Sequence, residues 1–172
     1  MLGEMLILAS SAGDIEAMQG ALEAGADVNL RVRLDNDSTV LDYAAYEVFS
    51  KRLSIASLRR VVTCLLESGF NPNLKNADGT AALANVIDHD SDGAMTKLLI
   101  EHDADPDITD TSGWTPLMIA AQSGRLRVVE HLLTAGCALD AKTVDGKTAL
   151  GLATQAGKGP VVRLLKSRGA RR

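Results

Sequence analysis

The sequence is short of the residues that build a large globular core or a covalent framework. Only 3% of its 172 residues are aromatic, and it contains four prolines and two cysteines. Cys64 and Cys137 lie far apart and show no metal-ligand spacing, which argues against a disulfide framework and favours a reducing compartment. The apolar run at the N-terminus has no basic leader and reaches Gly13 too soon to span a membrane. We therefore expect a cytoplasmic protein without a membrane anchor.

Charge and apolar content narrow the possible classes of protein. The formal net charge is −4, which argues against general nucleic-acid binding. Apolar residues make up 46% of the sequence, enough for the chain to fold alone as one domain. They are mainly Leu, Val, Ile and Ala spread evenly along the chain, a distribution that favours an elongated stack over a core built around large rings.

A repeated segment runs through the chain, and its clearest copy lies between residues 113 and 136. Three glycines punctuate this copy, and their spacing recurs 33 residues later (Gly113, Gly124 and Gly136; then Gly146, Gly157 and Gly169). Thr115 is a good N-cap, and Pro116 suits the first helical position, where its missing N–H costs nothing. A glycine then supplies the left-handed residue that ends each helix. The pattern predicts two helices per copy and a hairpin turn between copies.

Residues 115 to 120 read Thr-Pro-Leu-Met-Ile-Ala, which resembles the Thr-Pro-Leu-His-x-Ala signature of the ankyrin repeat family, whose period is 33 residues. Degraded copies extend the resemblance over almost the whole chain. It implies a single all-α domain over residues 1–172, an ankyrin-repeat solenoid of about five helix-turn-helix repeats with β-hairpin fingers. We expect the repeats at about 4–29, 30–73, 74–107, 108–140 and 141–172.

The copies depart from the family pattern at several positions. None keeps the signature histidine, whose place is taken in turn by Ile7, Asp42, Ala84, Met118 and Gly151. The second copy carries about nine additional residues, which we place between its two helices within residues 46–57. The turn before that copy is longer than its neighbours and carries Arg31 and Arg33.

The third copy is the most irregular, and we expect it to be the weak point of the stack. Ala81 and Ala82 replace the Thr-Pro pair, and Asn85 stands where an apolar core residue is expected. The copy ends on Asp103 rather than glycine, so a residue with a Cβ must adopt the left-handed conformation, at a cost on the order of 1 kcal/mol.

One segment of the third copy matches the start of a calcium-binding loop. Asp88, Asp90 and Asp92 alternate ahead of Gly93, and Ca²⁺ requires oxygen ligands at alternate positions with a glycine at the tight turn. The twelfth position holds Leu99 in place of the bidentate glutamate. The alternatives are a calcium-regulated interaction module and an ordinary acidic loop between helices. We favour the ordinary loop and expect no cofactor.

Charge is distributed unevenly along the chain. Residues 88–110 contain eight acids against Lys97 alone, and residues 158–172 contain six basic residues and no acid (Lys158, Arg163, Lys166, Arg168, Arg171 and Arg172). The basic tail fits a polar end cap better than a membrane or nucleic-acid site. The acidic segment is either a solvated surface or a means of steering a basic partner protein, and in the second case Asp105 and Asp107 contribute to the association rate.

The resemblance to ankyrin repeats implies a concave surface of fingers and first helices that binds another protein. Tryptophan is enriched at interface hot spots, and Trp114 follows a turn glycine at a position that is typically exposed in the family. We expect it to be substantially exposed and continuous with other finger residues (Thr111, Ser112, Lys147 and Asp78). Tyr46, in the additional segment of the second copy, either faces a partner or packs that segment down.

No motif in the sequence indicates catalysis. It contains no G-x-S-x-G nucleophile motif, no HExxH zinc motif and no glycine-rich phosphate loop. We expect a non-catalytic protein–protein interaction module, used as a stoichiometric binder, inhibitor or adaptor. It is expected to be a monomer when free and to bind neither nucleic acid nor membranes.

Overall fold

The computed structural model describes residues 1–32 and 36–171, so Arg33 and Arg172 lie outside the described residues. The described residues form one short antiparallel hairpin, β1 (Arg31–Val32) with β2 (Ser38–Thr39). They also form ten helices: α1 (Leu2–Ala12), α2 (Ile15–Glu23), α3 (Val40–Phe49), α4 (Ile55–Glu67), α5 (Ala82–Ile87), α6 (Ala94–Glu101), α7 (Pro116–Ser123), α8 (Leu126–Thr134), α9 (Ala149–Gln155) and α10 (Gly159–Ser167).

The helices form two layers, and each helix packs against its counterparts in the neighbouring pairs. The odd-numbered helices follow one another in the first-helix layer, and the even-numbered helices do so in the second-helix layer. The two helices of each consecutive pair pack against each other across the layers. Neighbours in the chain are therefore neighbours in space, and the expected all-α solenoid of helix pairs is confirmed.

One apolar core runs along the stack between the two layers. Ala44, Ala120 and Ala153 of the first helices are fully buried, and their small side chains let the second helices approach closely. The facing side of α8 presents Val128 and Leu132, which are also fully buried. Burying an aliphatic side chain of this size contributes about 1.5–3 kcal/mol, so the interface between layers stabilises every unit.

The helix ends follow local signals in the sequence. Thr39, Thr115 and Thr148 cap α3, α7 and α9, because each side-chain oxygen accepts the backbone N–H three residues further on. Pro116 lies in the first turn of α7, and Gly124 ends that helix in the left-handed conformation at φ 75°. In contrast, α5 starts without a side-chain cap and is only six residues long.

The additional residues of the second unit lengthen both of its helices as well as the loop between them. Helix α3 has 10 residues and α4 has 13, whereas α7 and α8 have 8 and 9. The connecting loop buries Leu53 against the preceding unit, where a Cβ added at Gly13 would lie 2.7 Å from a Leu53 methyl carbon. The extra segment is therefore packed onto the stack and is not a simple loop between the helices.

The hairpin turns form a row of fingers that are bonded to one another through the backbone. In each case an N–H of one finger donates to a carbonyl of the finger before it, at 2.8–3.1 Å (Ala77 to Asn36, Thr111 to Asp78, and Val144 to Ser112). Because these bonds use only the backbone, the side chains at the finger tips are left to vary without loss of the row.

A polar ladder joins the loops that follow the second helices. In each rung, a side-chain oxygen accepts a backbone N–H of the next unit at 2.7–2.8 Å (Asn29 from Asn71, Asn73 from Asp105, Asp107 from Ala138, and Asp140 from Arg171). Two rungs are double, because the amides of Asn29 and Asn73 also donate to backbone carbonyls of the next unit. These residues occupy equivalent positions, so the ladder sets one register for all the units.

The Asp42 and Asn85 side chains join the first helices of the second and third units. The expectation that Asn85 occupies a core position is wrong, because the residue is half-buried. Its amide donates to the Asp42 carboxylate. The same carboxylate accepts the backbone N–H of Thr39 and completes a capping box. Burial raises the pKa of Asp42, and the hydrogen bonds from Thr39 and Asn85 partly offset that rise.

We predict that the third unit is the least protected part of the stack. Amides of α5 should exchange with solvent faster than those of α7, because α5 has no cap and Asp103 ends the unit in the left-handed conformation at φ 63°. Hydrogen exchange read by mass spectrometry measures this difference. Equal or greater protection of α5 would contradict the prediction.

The same weakness should be repairable. Ala81→Thr restores the missing cap and Asp103→Gly removes the backbone strain, so together they should add about 1–3 kcal/mol and raise the melting temperature. Ala82→Pro is a poor addition, because the Ala82 N–H donates to the Pro72 carbonyl at 3.3 Å. A melting temperature unchanged in the double variant would show that neither position limits stability.

A separate prediction concerns the pH dependence of the Asp42–Asn85 contact. A raised pKa means that the folded state loses stability as pH rises from the unfolded value of 3.8 towards the folded value. Asn85→Ala removes a hydrogen bond that lowers the pKa of Asp42, so the ionised carboxylate should destabilise the folded state further. The substitution should therefore reduce the free energy of unfolding by about 1–3 kcal/mol at neutral pH. Urea unfolding should show a smaller cost near pH 3, where Asp42 is protonated in both states.

The matched control is the same Asn85→Ala change made in an Asp42→Asn background. In that background the group does not titrate, so the cost of Asn85→Ala should not vary with pH. An equal cost at both pH values in the unmodified background would show that Asn85 does not act on the Asp42 charge.

Candidate functional site

Four of the expected surface residues lie together along the fingers. Thr111 and Ser112 are exposed at the tip of one finger, and Asp78 is exposed on the finger before it. The Asp78 carbonyl accepts the Thr111 N–H, and its carboxylate accepts the amide of Asn36 at 2.6 Å. Lys147 is exposed at the base of the following finger, whose tip is bonded to Ser112. The structure therefore brings these residues onto neighbouring fingers.

Trp114 is half-buried rather than substantially exposed. Its backbone N–H donates to the Asp110 carboxylate at 2.8 Å, which holds the Trp114 main chain at the base of its finger. The side chain packs against the core and also lines a cavity between the third and fourth units. The residue is therefore a wall of a surface hollow and not a projecting anchor.

Two large aromatic side chains project from α3. Tyr46 is 63% exposed and Phe49 is 77% exposed, and they are the most accessible aromatic residues in the described part of the chain. Tyr46 borders an open cleft of about 600 Å³ that it shares with Asn36 and Asp42. A side chain this exposed does little to pack the segment down, which argues against the second of the two alternatives for Tyr46.

The acidic pair Asp105 and Asp107 belongs to the polar ladder and not to the finger row. Both residues are exposed. The Asp105 carboxylate accepts the Asp107 N–H at 2.9 Å, and the Asp107 carboxylate accepts the Ala138 N–H at 2.7 Å. Each carboxylate therefore accepts a structural hydrogen bond while its negative charge stays at the surface. A substitution that deletes either side chain would remove both the charge and the hydrogen bond.

The three aspartates of the calcium-like segment point to three different partners. Asp88 accepts the Ser123 hydroxyl at 2.6 Å, and Asp92 pairs with the Arg59 guanidinium at 2.8 Å. The hydrogen bond from the Ala94 N–H, followed by that from Arg59, lowers the pKa of Asp92. The described residues contain no group of three or more His, Cys, Asp or Glu side chains that could hold a metal ion.

The remaining aspartate, Asp90, caps the start of α6. It is fully buried, and its carboxylate accepts the backbone N–H groups of Met95 and Thr96 at 3.2 and 2.7 Å. An acidic side chain at the start of α6 also interacts favourably with the helix dipole. Of the alternating acids, Asp90 thus holds the start of α6, while Asp88 and Asp92 bond to residues of the neighbouring units.

The two thiols are poor nucleophiles. Cys64 and Cys137 are free and buried. Burial, with a smaller contribution from the charge of Asp107, raises the pKa of Cys137 to about 11, and burial also raises the pKa of Cys64. The thiolate is the reactive form, so both side chains stay protonated and unreactive near neutral pH.

Sequence reasoning missed two features of this surface. One is the Asp42–Asn85 contact. The sequence signal for it was a polar residue in each of two neighbouring first helices, at positions where the repeat is usually apolar or carries histidine. The other is the hollow beside Trp114, for which the signal was two short side chains, Ala81 and Ala84, where the repeat signature has larger ones. Both signals require the positions of adjacent units to be compared, since neither unit shows them alone.

Among the described residues, no helix is both long enough and apolar enough to cross a membrane.

Three relatives illustrate what the chain is similar to. Ankyrin repeat domain-containing protein 63 of Mus musculus is 36% identical over 110 residues, which cover 62% of this chain and 28% of that protein. The nuclear factor NF-kappa-B p105 subunit of Gallus gallus is 32% identical over 157 residues, 90% of this chain and 15% of that protein. A glycerophosphocholine phosphodiesterase of Schizosaccharomyces pombe is 32% identical over 91 residues, 52% of this chain and 8% of that protein. The chain thus spans less than a third of each relative.

Family membership follows from the match to the repeat itself. Residues 53–143 and 104–171 match the family described as "Ankyrin repeats (3 copies)". Members of this family are generally protein–protein interaction modules. The match agrees with the helix pairs, the left-handed glycines and the row of fingers. The chain belongs to the ankyrin repeat family.

Proposed function

We propose that this chain is a non-catalytic binder of another protein, which it contacts with its fingers and first helices. The observation that carries the proposal is the finger row itself. Backbone bonds hold adjacent fingers in register, while Asp78, Thr111 and Ser112 present exposed side chains from consecutive fingers. A rigid backbone with variable tips is suited to recognition by shape, because little conformational entropy is lost on binding.

The exposed aromatic residues supply anchors for such a partner. Tyr46 and Phe49 lie on α3 in the first-helix layer, which is continuous with the fingers. Large aromatic side chains dominate the binding energy of many interfaces, and an exposed pair on a monomer is consistent with that use. We propose that the pair contacts the partner directly.

The mode of action that we propose is occlusion of the partner by a one-to-one complex, as in an inhibitor or adaptor. The buried, protonated thiols and the absence of a catalytic motif in the sequence support a non-catalytic role. A net charge of −4 and exposed acids along the third unit favour a partner with a basic surface over a nucleic acid. We propose a cytoplasmic protein that is monomeric until it binds.

The aromatic pair gives the most direct test. The chain is used to capture its partner, and the affinity of the purified pair is then measured by calorimetry for Tyr46→Ala and Phe49→Ala. Either change should weaken binding by about tenfold to thirtyfold, as expected of hot-spot residues. Ile55→Ala is the matched control, since Ile55 is also an exposed apolar side chain (44%) but lies on α4 of the second-helix layer. Equal losses in all three variants, or in none, would contradict the proposed surface.

The acidic charge makes a separate prediction about the association rate. Asp105→Asn and Asp107→Asn remove two charges but keep a side-chain oxygen, so the hydrogen bonds to Asp107 and Ala138 can be retained. The double variant should associate more slowly with little change in dissociation, and the unmodified chain should slow as salt rises. Surface plasmon resonance at low and high salt measures both rates. An association rate independent of salt would rule out steering by these acids.

A further inference from the structure

A cavity lies between the first helices of the third and fourth units, beneath their fingers. Its volume is about 200 Å³, and it opens to the surface. Alanines from the start and middle of α5 form one side, and Trp114 and Ile119 form the other. Small-molecule sites usually measure ~300–1,000 Å³, so this cavity has the size for a single long side chain.

The cavity exists because the third unit has lost its larger signature residues. Ala84 occupies the position that holds Asp42 in the second unit and Met118 in the fourth. Between the second and third units the Asp42–Asn85 contact crosses this position, and Met118 is fully buried. Ala81 likewise replaces the capping threonine. The second unit is also open on this face, at the cleft beside Tyr46, but its wall there carries Asp42 where the third unit has only Ala84.

The walls combine apolar surface with negative charge. Trp114, Ile108 and Ile119 offer flat and aliphatic surface, and the carboxylates of Asp88 and Asp110 stand at the edge. Neither carboxylate forms an ion pair within the described part of the chain.

The other acids of residues 88–110 do not share this position. Asp90 is buried as a helix cap, and Asp92 and Glu101 are paired with Arg59 and Lys97. The remaining three lie in the loop that follows α6, where they take part in the polar ladder or the turn before it (Asp103, Asp105 and Asp107). Of the eight acids, only Asp88 and Asp110 line the cavity.

Two cationic residues near the cavity bond to main-chain oxygens of its wall and form no ion pair with its carboxylates. Arg125 donates to the backbone carbonyl of Asp88, and Lys75 donates to the backbone carbonyl of Thr109 at 2.8 Å. Both cations are thus bonded to main-chain oxygens. Within the described part of the chain, the carboxylates of Asp88 and Asp110 accept hydrogen bonds from neutral donors (Ser123, Ser112 and Trp114). The carboxylates of Asp88 and Asp110 therefore keep oxygen atoms that can accept hydrogen bonds from a cation.

We propose that this cavity receives one cationic side chain of the partner protein, with arginine preferred over lysine. The aliphatic stem packs along Ile108 and Ile119, and the guanidinium lies against the Trp114 indole within reach of the Asp88 carboxylate. Arginine is preferred because its planar group stacks on aromatic faces and binds carboxylates through two donors. The inference rests on the proposed function, since it names the chemistry that the binding surface selects.

The test uses blocked tripeptides, acetyl-Gly-X-Gly-amide, in which X is arginine, lysine, citrulline or norleucine, at matched ionic strength. Trp114 is the one tryptophan of the chain, so its indole N–H is a single resolved reporter in a nitrogen–proton NMR spectrum. The arginine peptide should shift this signal and the amides of Ala84 and Asp110. The uncharged citrulline peptide should bind at least roughly fivefold more weakly than the arginine peptide. Equal shifts with citrulline, or shifts confined to other residues, would overturn the proposal.

Two variants and a control separate the cavity from the rest of the surface. Ala84→Leu fills the cavity and should abolish the arginine-dependent shifts, and Asp88→Asn, which keeps the shape, should weaken binding about fivefold. Ala17→Leu adds the same side chain at an exposed site on α2 and should change nothing. If Ala84→Leu does not fold, Asp88→Asn decides, and unaltered arginine binding in that variant would refute the role of the carboxylate.

The outcome is distinguishable from failure of the proposed function. A partner that depends on Tyr46 and Phe49 but tolerates Asp88→Asn, together with an arginine peptide that shifts no signal, would reject the cavity and keep the binding surface. Arginine-dependent shifts at Trp114 without any effect of Tyr46→Ala or Phe49→Ala on the partner would reject the aromatic anchors and keep the cavity.

Discussion

Each helix pair in this protein needs its neighbouring pairs to complete the burial of its apolar faces. No unit has a core of its own, because the buried side chains of a first helix meet those of the neighbouring first helices and of its own second helix. Stability is therefore a sum over units and interfaces between them, and a substitution in one unit is felt by the next. The register between units must be held accurately for this burial to work.

Two sets of hydrogen bonds hold that register, one between the fingers and one between the loops that follow the second helices. At the fingers the bonds run from backbone to backbone, so they place no requirement on side chains. In the polar ladder a side chain is required, and asparagine or aspartate recurs at each rung (Asn29, Asn73, Asp107 and Asp140). The hydrogen bonds that require a particular side chain are thus separate from those that leave the fingertip side chains free to vary, and the fingertips are the surface suited to recognition.

The sequence was sufficient for the fold and much less so for the site. Thr115, Pro116 and Gly124 define a helix by local rules, and a fixed period of 33 residues places similar helices along the chain. The partners of Asn85 and Asp90, and the half-burial of Trp114, depend instead on where side chains of adjacent units meet. A one-dimensional pattern shows which residues are unusual, but only the packed stack shows that Asn85 is satisfied by Asp42 and that Asp90 is a cap.

The departures in the third unit have two consequences that cannot be separated. Short side chains at Ala81 and Ala84 forgo a helix cap and part of the contact with the fourth unit, which costs stability. The same absence of side-chain volume leaves the hollow that Trp114 and Asp88 border. Part of the lost contact is replaced from outside the unit, because Ser123 and Arg125 of the fourth unit bond to the side chain and the carbonyl of Asp88. Local rules are commonly broken where a protein uses a site, and the irregular unit here is also the one with a cavity bordered by acidic residues on the proposed binding face. Filling that cavity with a side chain of the partner would restore the missing contact, so binding and stabilisation of the third unit should be thermodynamically linked.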